Sequence, residues 1–263
     1  MSSLFKYFPA EYIKDKKTLL FEVTYYKKGK RINYALENLN SNTLWASIPD
    51  AFNDPFECDF YFTKDDILDY MLLEYPQMKQ RINNMRNDPN ECAQIETSYS
   101  DMQSAMEQIK KQFGITCFST SDSELLMWGH YANCHRGICA EYDAAEIKKC
   151  NGIVRIVNYD TEILRVRDFS PDALMESAEK TLHTKSKEWS YENEVRIIIS
   201  PIQSGLSGTT WDAPIPKSIR LGVKADERLK AEIKDLCKEK GIDLYQMKKV
   251  PGQYAIEKIK IDL

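Results

Sequence analysis

Residues 114–143 read GITCFSTSDSELLMWGHYANCHRGICAEYD, and the fold of the chain turns on how they are divided. The apolar run Ile115–Phe118 predicts a strand, and the hydroxyl cluster Ser119, Thr120, Ser121 and Ser123 predicts a polar turn after it. Glu124–Tyr131 then predicts a short helix, with Ser121 or Ser123 placed to accept from its first backbone amides. Gly137–Tyr142 predicts a second strand. This order gathers hydroxyls, the Trp128 indole, the His130 imidazole and the Tyr131 phenol into one region. Nowhere else is the chain so dense in groups suited to a binding site.

Upstream, LFKYF at 4–8 predicts a first strand stopped by Pro9, with Lys6 and Tyr7 near its end. Residues 10–20 read as a short helix, and Asn42–Ile48 as a strand. Asn53, Asp54 and Pro55 predict a tight turn, because Asn and Asp satisfy neighbouring backbone groups with their own side chains. The flanking Phe52 and Phe56 are expected to enter the core. From about 61 to 112 the composition shifts to Lys, Asp, Glu, Asn, Met and Gln with helical apolar spacing, which predicts a helical insertion broken near Pro89.

Downstream, residues 152–159 read as a strand and 171–184 as a helix opened by Ser170–Pro171. In KSKEWSYENEVRIIISP, a strand is predicted at Glu194–Ile199. Two-residue alternation puts Glu192, Glu194 and Arg196 on one face. Two carboxylates and a guanidinium sharing a face require water, pairing or a function there. Arg196 either neutralises Glu194 as a structural ion pair or serves a ligand. The end of the chain predicts a strand at 218–223, a helix at 225–240 and strands at 243–250 and 254–261, with one strand–helix–strand crossover. The reading is a single α+β domain over residues 1–263, built on a mixed, mostly antiparallel sheet.

Composition bounds the partners. The 263 residues carry 43% hydrophobic, 29% charged and 11% aromatic residues, including 15 Tyr, which fits a chain that buries a core. A formal net charge of −4 offers nucleic acid or anionic lipid no general attraction, so either would need a local basic patch. No apolar window approaches membrane-spanning length, and the expectation is a cytoplasmic protein without a membrane partner. Seven cysteines without a CxxC pair fit reduced, buried thiols, and no metal site is expected.

FNDPFE at 52–57, CFS at 117–119, LMWGHYANCHRGICAEY at 126–142 and the Lys, Trp, Tyr–Glu, Glu and Arg pattern at 187–196 resemble a bacterial family known as domain of unknown function 2971. That likeness runs from Leu4 to about Ile199 and brings no reaction with it. A second resemblance is to ADP-ribosyltransferases of the arginine, STS, ExE type. These carry a basic or polar residue on an early strand, an STS motif on a central strand and an ExE pair before a later one. Here the order is Lys6–Tyr7, Ser119–Thr120–Ser121 and Glu192–Asn193–Glu194. The early-strand arginine is absent.

The resemblance implies NAD as substrate, held in the cleft of a split sheet. Ser119, Thr120 and Ser121 would shape the nicotinamide–ribose pocket, and Glu194 would hold a ribose hydroxyl and stabilise the oxocarbenium-like transition state. Glu192 would activate an acceptor, protein or nucleic acid, which the resemblance leaves undetermined. Trp128 and Tyr131 offer stacking surfaces, although Trp128 at a helical position equally suits the core. His130 either faces Glu192 or Glu194 across the cleft or is a structural histidine. By analogy, such a chain would act as a toxin or phage-defence effector. The other class of reading is a non-enzymatic sensor or interaction module that uses the helical insertion. A nucleophilic hydrolase could be drawn from Cys117 or Ser119 with His130, but no elbow motif supports it.

Overall fold

The computed structural model describes residues 2–10, 26–27, 30–31, 33–87 and 89–263. Residues 11–20 of the helix expected at 10–20 lie outside them. Among the described residues ten strands form the main sheet: Ser3–Phe8 (β1), Thr43–Ser47 (β2), Gly114–Ser119 (β3), Ile138–Asp143 (β4), Ile153–Ile156 (β5), Glu194–Ile199 (β6), Gly208–Asp212 (β7), Ser218–Leu221 (β8), Asp243–Lys249 (β9) and Ile256–Ile261 (β10). All pairings in it are antiparallel except β8 with β9. That parallel pair is joined by the helix Glu227–Lys240, which Asp226 caps at its start and Gly241 closes in the left-handed conformation. The sheet is mixed and mostly antiparallel, and the fold is α+β.

The sheet forks at β3. One edge of β3 pairs with β6 along its length, with Glu194 opposite Ser119 and Ile199 opposite Gly114. The other edge is shared: Ile115 pairs with Ser47 of β2, while Ser119 pairs with Phe5 of β1. Beyond the fork, β1, β4, β8, β9 and β10 follow in order on one arm, and β2 and β7 on the other. The fork therefore opens beside the hydroxyl-bearing end of β3.

The helical stretch has a core of its own. Helices Lys64–Glu74, Lys79–Asn87 and Pro89–Lys110 pack Ile67, Leu68, Ile82, Ile95 and Met106 around Phe60 and Phe62. Val166, Phe169 and Ala178 complete that core, so residues 61–112 depend on a later segment for their cover. Thr63 and Asp66 form a capping box at the first of these helices, and Arg165 grips the same Asp66 carboxylate at 2.9 Å.

Several local expectations change. The stretch 152–159 is two strands, because the chain leaves the main sheet after β5 and Asn158–Asp160 pairs in parallel with Thr184–Ser186. The helix at Leu125–His130 has no side-chain cap. Its serines are used one turn earlier: Ser119 Oγ accepts from the Ser121 amide and Ser121 Oγ from the Ser123 amide. Phe52 packs inward, but Phe56 is 61% exposed, since the Asp54 turn swings it outward.

Candidate functional site

Glu192 does not lie on β6. It ends the 3-10 helix Lys187–Glu192, and Asn193 follows with φ 45° before the strand begins at Glu194. Asn tolerates this left-handed geometry better than most residues, because its short polar side chain can bond locally. Its amide donates to the Tyr191 carbonyl at 3.1 Å. Simple alternation thus gives way to a tight turn, and the turn still brings both carboxylates inward to one cation.

That cation is Lys185. Its Nζ lies 2.6 Å from Glu192, 3.5 Å from Glu194 and 3.4 Å from Glu57. Arg196, fully buried, grips Glu194 with two nitrogens at 3.0 and 3.1 Å, reaches Glu57 at 2.6 Å and donates to the Leu182 carbonyl at 2.7 Å. Three carboxylates and two cations therefore form one closed network. Burial raises the carboxyl pKa of Glu192 more than Lys185 lowers it. For Glu194 burial also pushes upward, but Arg196 and Lys185 outweigh it and hold the group at about 2. Glu57 Oε2 has only its ion pair with Lys185, with no hydrogen bond among the described residues.

The organising stretch forms the other wall. Ser119 Oγ donates to the Glu192 carbonyl at 2.7 Å, and the Thr120 amide donates to the Asn193 carbonyl at 3.1 Å. Tyr131 donates its hydroxyl to Glu192 Oε1 at 2.5 Å. On the far side, the Glu194 amide donates to the Tyr159 hydroxyl at 2.8 Å.

Above Glu192 sits an aromatic group. His130, which is exposed, has its ring 6.3 Å from both Trp189 and Tyr191 and 6.2 Å from Tyr131, and Trp189 and Tyr191 are 6.1 Å apart. Lys185 Nζ lies 4.9 Å from the Trp189 ring centre, joining this mouth to the charges below.

The remaining sequence candidates hold the frame. Trp128 is fully buried, gives its indole N–H to the Asp122 carbonyl at 2.8 Å and meets Tyr7 edge-on at 5.3 Å, so it supports the turn from behind. Tyr7 donates to the Ser121 carbonyl at 2.9 Å. Lys6 pairs with Ala140 on β1 and makes no ion pair among the described residues. Burial lowers its pKa against the opposing pull of Cys117 and Glu194. Ser119 is closed off, and burial, reinforced by Glu194, pushes the Cys117 thiol well above its ordinary range. Neither is set up as a nucleophile.

After the helix, Asn133, Cys134 and His135 all take positive φ, at 47°, 52° and 68°. The chain affords this tight return because Gly137 and Gly222 lack side chains. A Cβ at Gly137 would stand 2.1 Å from the Phe8 carbonyl oxygen, and one at Gly222 2.2 Å from that of His135.

Sequence reasoning passed over two members of the network, Glu57 and Lys185. In FNDPFE the turn residues stand out, and nothing local marks the glutamate as an ion-pair partner. Lys185 had a signal in principle, because a face bearing two buried carboxylates needs more than one cation.

A family model described as a protein of unknown function (DUF2971) matches residues 127–197. That span holds His130, Tyr131, Lys185, Trp189, Glu192, Glu194 and Arg196. It leaves out Lys6, Tyr7, Glu57 and the Ser119–Ser121 turn. No curated protein and no solved structure matched the chain.

Proposed function

We propose that the chain is an NAD-consuming enzyme of ADP-ribosyltransferase or NAD-glycohydrolase type, acting at the aromatic mouth above Glu192. The observation that carries this reading is the register of the fork: the Ser119–Thr120–Ser121 turn and the Glu192–Asn193–Glu194 turn are bonded side by side, with Glu194 opposite Ser119. A flat nicotinamide ring would stack among Trp189, Tyr191 and His130.

In the reaction the C1′–N bond of the nicotinamide ribose breaks and its electron pair leaves with nicotinamide. An acceptor oxygen or nitrogen, or water, then bonds C1′ and gives its proton to Glu192. Glu192 suits this role better than Glu194, because its raised pKa makes its carboxylate the stronger base. Glu194, held by Arg196 and Lys185, would supply fixed negative charge towards the oxocarbenium-like centre. Glu192 is 2% exposed, so the Trp189–Tyr191 cover must part for substrate to reach it. Titration calorimetry with NAD tests the site: wild type should bind and Trp189→Ala should bind at least about tenfold more weakly. Equal affinities would remove the mouth from the account. A toxin or phage-defence role would follow from the acceptor chosen.

A second reading, a non-enzymatic interaction module, is favoured by one observation: the helical unit exposes Leu73 at 79% and Tyr75 at 49%. A partner captured by wild type and lost on Leu73→Asp would support it. Excising 61–112 would be a poor test, since it would uncover Val166, Phe169 and Ala178.

A further inference from the structure

The C-terminal hairpin brings to the same region the positive charge that the chain lacks overall. Along β9 and β10, Tyr245, Met247 and Lys249 share a face with their partners Lys260, Lys258 and Ile256. That face looks towards the candidate site, because Met247 and Ile256 pack in one cluster with Tyr131 and Tyr191. Lys258 Nζ lies 3.5 Å from Asp122, within the turn that follows Ser121, and 5.5 Å from the Tyr245 ring centre. The Lys224 amide donates to the His135 carbonyl at 2.8 Å and the Gln246 side chain donates to the Gly222 carbonyl at 2.9 Å, which sets the Lys224 turn against β9, the strand that carries Lys249. Burial followed by the Lys224 and Lys249 charges lowers the His135 pKa. Arg136 follows in the chain.

Lys224, Lys249 and Arg136 are exposed and form no ion pair or side-chain hydrogen bond among the described residues. Some surface lysines elsewhere, Lys149, Lys217, Lys230 and Lys260 among them, have a carboxylate within reach, and these three cations do not. At the hairpin tip Tyr254 stands fully in solvent at 101% exposure. Unpaired cations beside a free aromatic ring are the elements by which proteins hold a phosphate backbone and stack an unpaired base.

We infer that Arg136, Lys224, Lys249 and Lys258, with Tyr254, form a contact surface for single-stranded nucleic acid that leads to the Ser119–Ser123 turn. The cations neutralise phosphates and Tyr254 stacks on a base. This surface stands whether or not the mouth consumes NAD, so its test contains no NAD.

Fluorescence anisotropy with a labelled single strand of about 20 nucleotides, DNA and RNA in turn, reads the binding directly. Wild type should bind, with affinity falling steeply between about 50 and 200 mM salt. Lys224→Glu/Lys249→Glu should weaken binding by at least about tenfold and reduce the salt slope by about 2. Tyr254→Ala should weaken it without changing the slope. Lys148→Glu/Lys238→Glu makes the same change of net charge at exposed helical sites away from this surface and should bind as wild type does. No binding by wild type would overturn the inference, as would equal losses in the two double variants. Capture by phosphatidylserine vesicles but not by the oligonucleotides would overturn it in favour of a membrane surface.

Discussion

Tyr131 donates its hydroxyl to Glu192 Oε1 at 2.5 Å across 61 residues of sequence, and this bond ties the organising stretch to the turn that carries the carboxylates. Burial of the phenol, followed by the Glu192 charge, raises the Tyr131 pKa, so it remains a donor throughout the ordinary pH range. Tyr131→Phe removes the donor and keeps the ring. A hydrogen bond to a charged group contributes about 1.5–3 kcal/mol, and urea unfolding should show a loss of that size. A loss under about 0.5 kcal/mol would mean that the two walls are held together by other contacts.

Arg196 is the most heavily committed side chain in the network, with Glu194, Glu57 and the Leu182 carbonyl all on one guanidinium. Breaking a buried pair by removing one partner costs about 3–5 kcal/mol, because the remaining charges stay buried. Arg196→Met should reach that range in urea. Arg196→Lys should recover only part of it, since an ammonium cannot reproduce the planar fork. Full recovery by lysine would show that charge alone suffices at this position.

The acid limb of stability follows from Glu194. Its folded pKa is depressed to about 2 from an ordinary 4.5, so the stabilisation is complete above about 4.5 and is lost as the pH falls towards 2. The shift corresponds to about 3 kcal/mol as an upper figure. Glu192 has the opposite sign: its folded pKa is raised, so its ionisation opposes folding as the pH rises above the ordinary carboxylate value. Unfolding midpoints measured from pH 6 down to about 2.5 should therefore fall more steeply in wild type than in Glu194→Gln. Parallel curves would place the acid sensitivity elsewhere.

The division of residues 114–143 into strand, turn, helix and strand was legible because apolar runs and periodicity act locally. The fork was not legible, since it depends on which edge of β3 each distant strand takes. Glu192, Glu194 and Arg196 could be read as a shared face from alternation. The structure reaches convergence through Asn193 instead, whose left-handed turn leaves no periodic trace. Trp128 could be read two ways, as core or as ligand surface, and its hydrogen bond to Asp122 together with full burial makes it core. Glu57 and Lys185 were hidden for another reason. A buried ion network is a three-dimensional property, and its members at 57 and 185 share no local pattern.

Release of free nicotinamide from NAD, followed by chromatography for wild type and Glu192→Gln, is the most direct test that the aromatic mouth over Glu192 breaks the nicotinamide bond. Wild type should release nicotinamide, and Glu192→Gln should release at least about a hundredfold less while keeping a wild-type circular dichroism spectrum. Undiminished release by the folded Glu192→Gln protein, or none by wild type with protein and nucleic-acid acceptors supplied, would contradict the account.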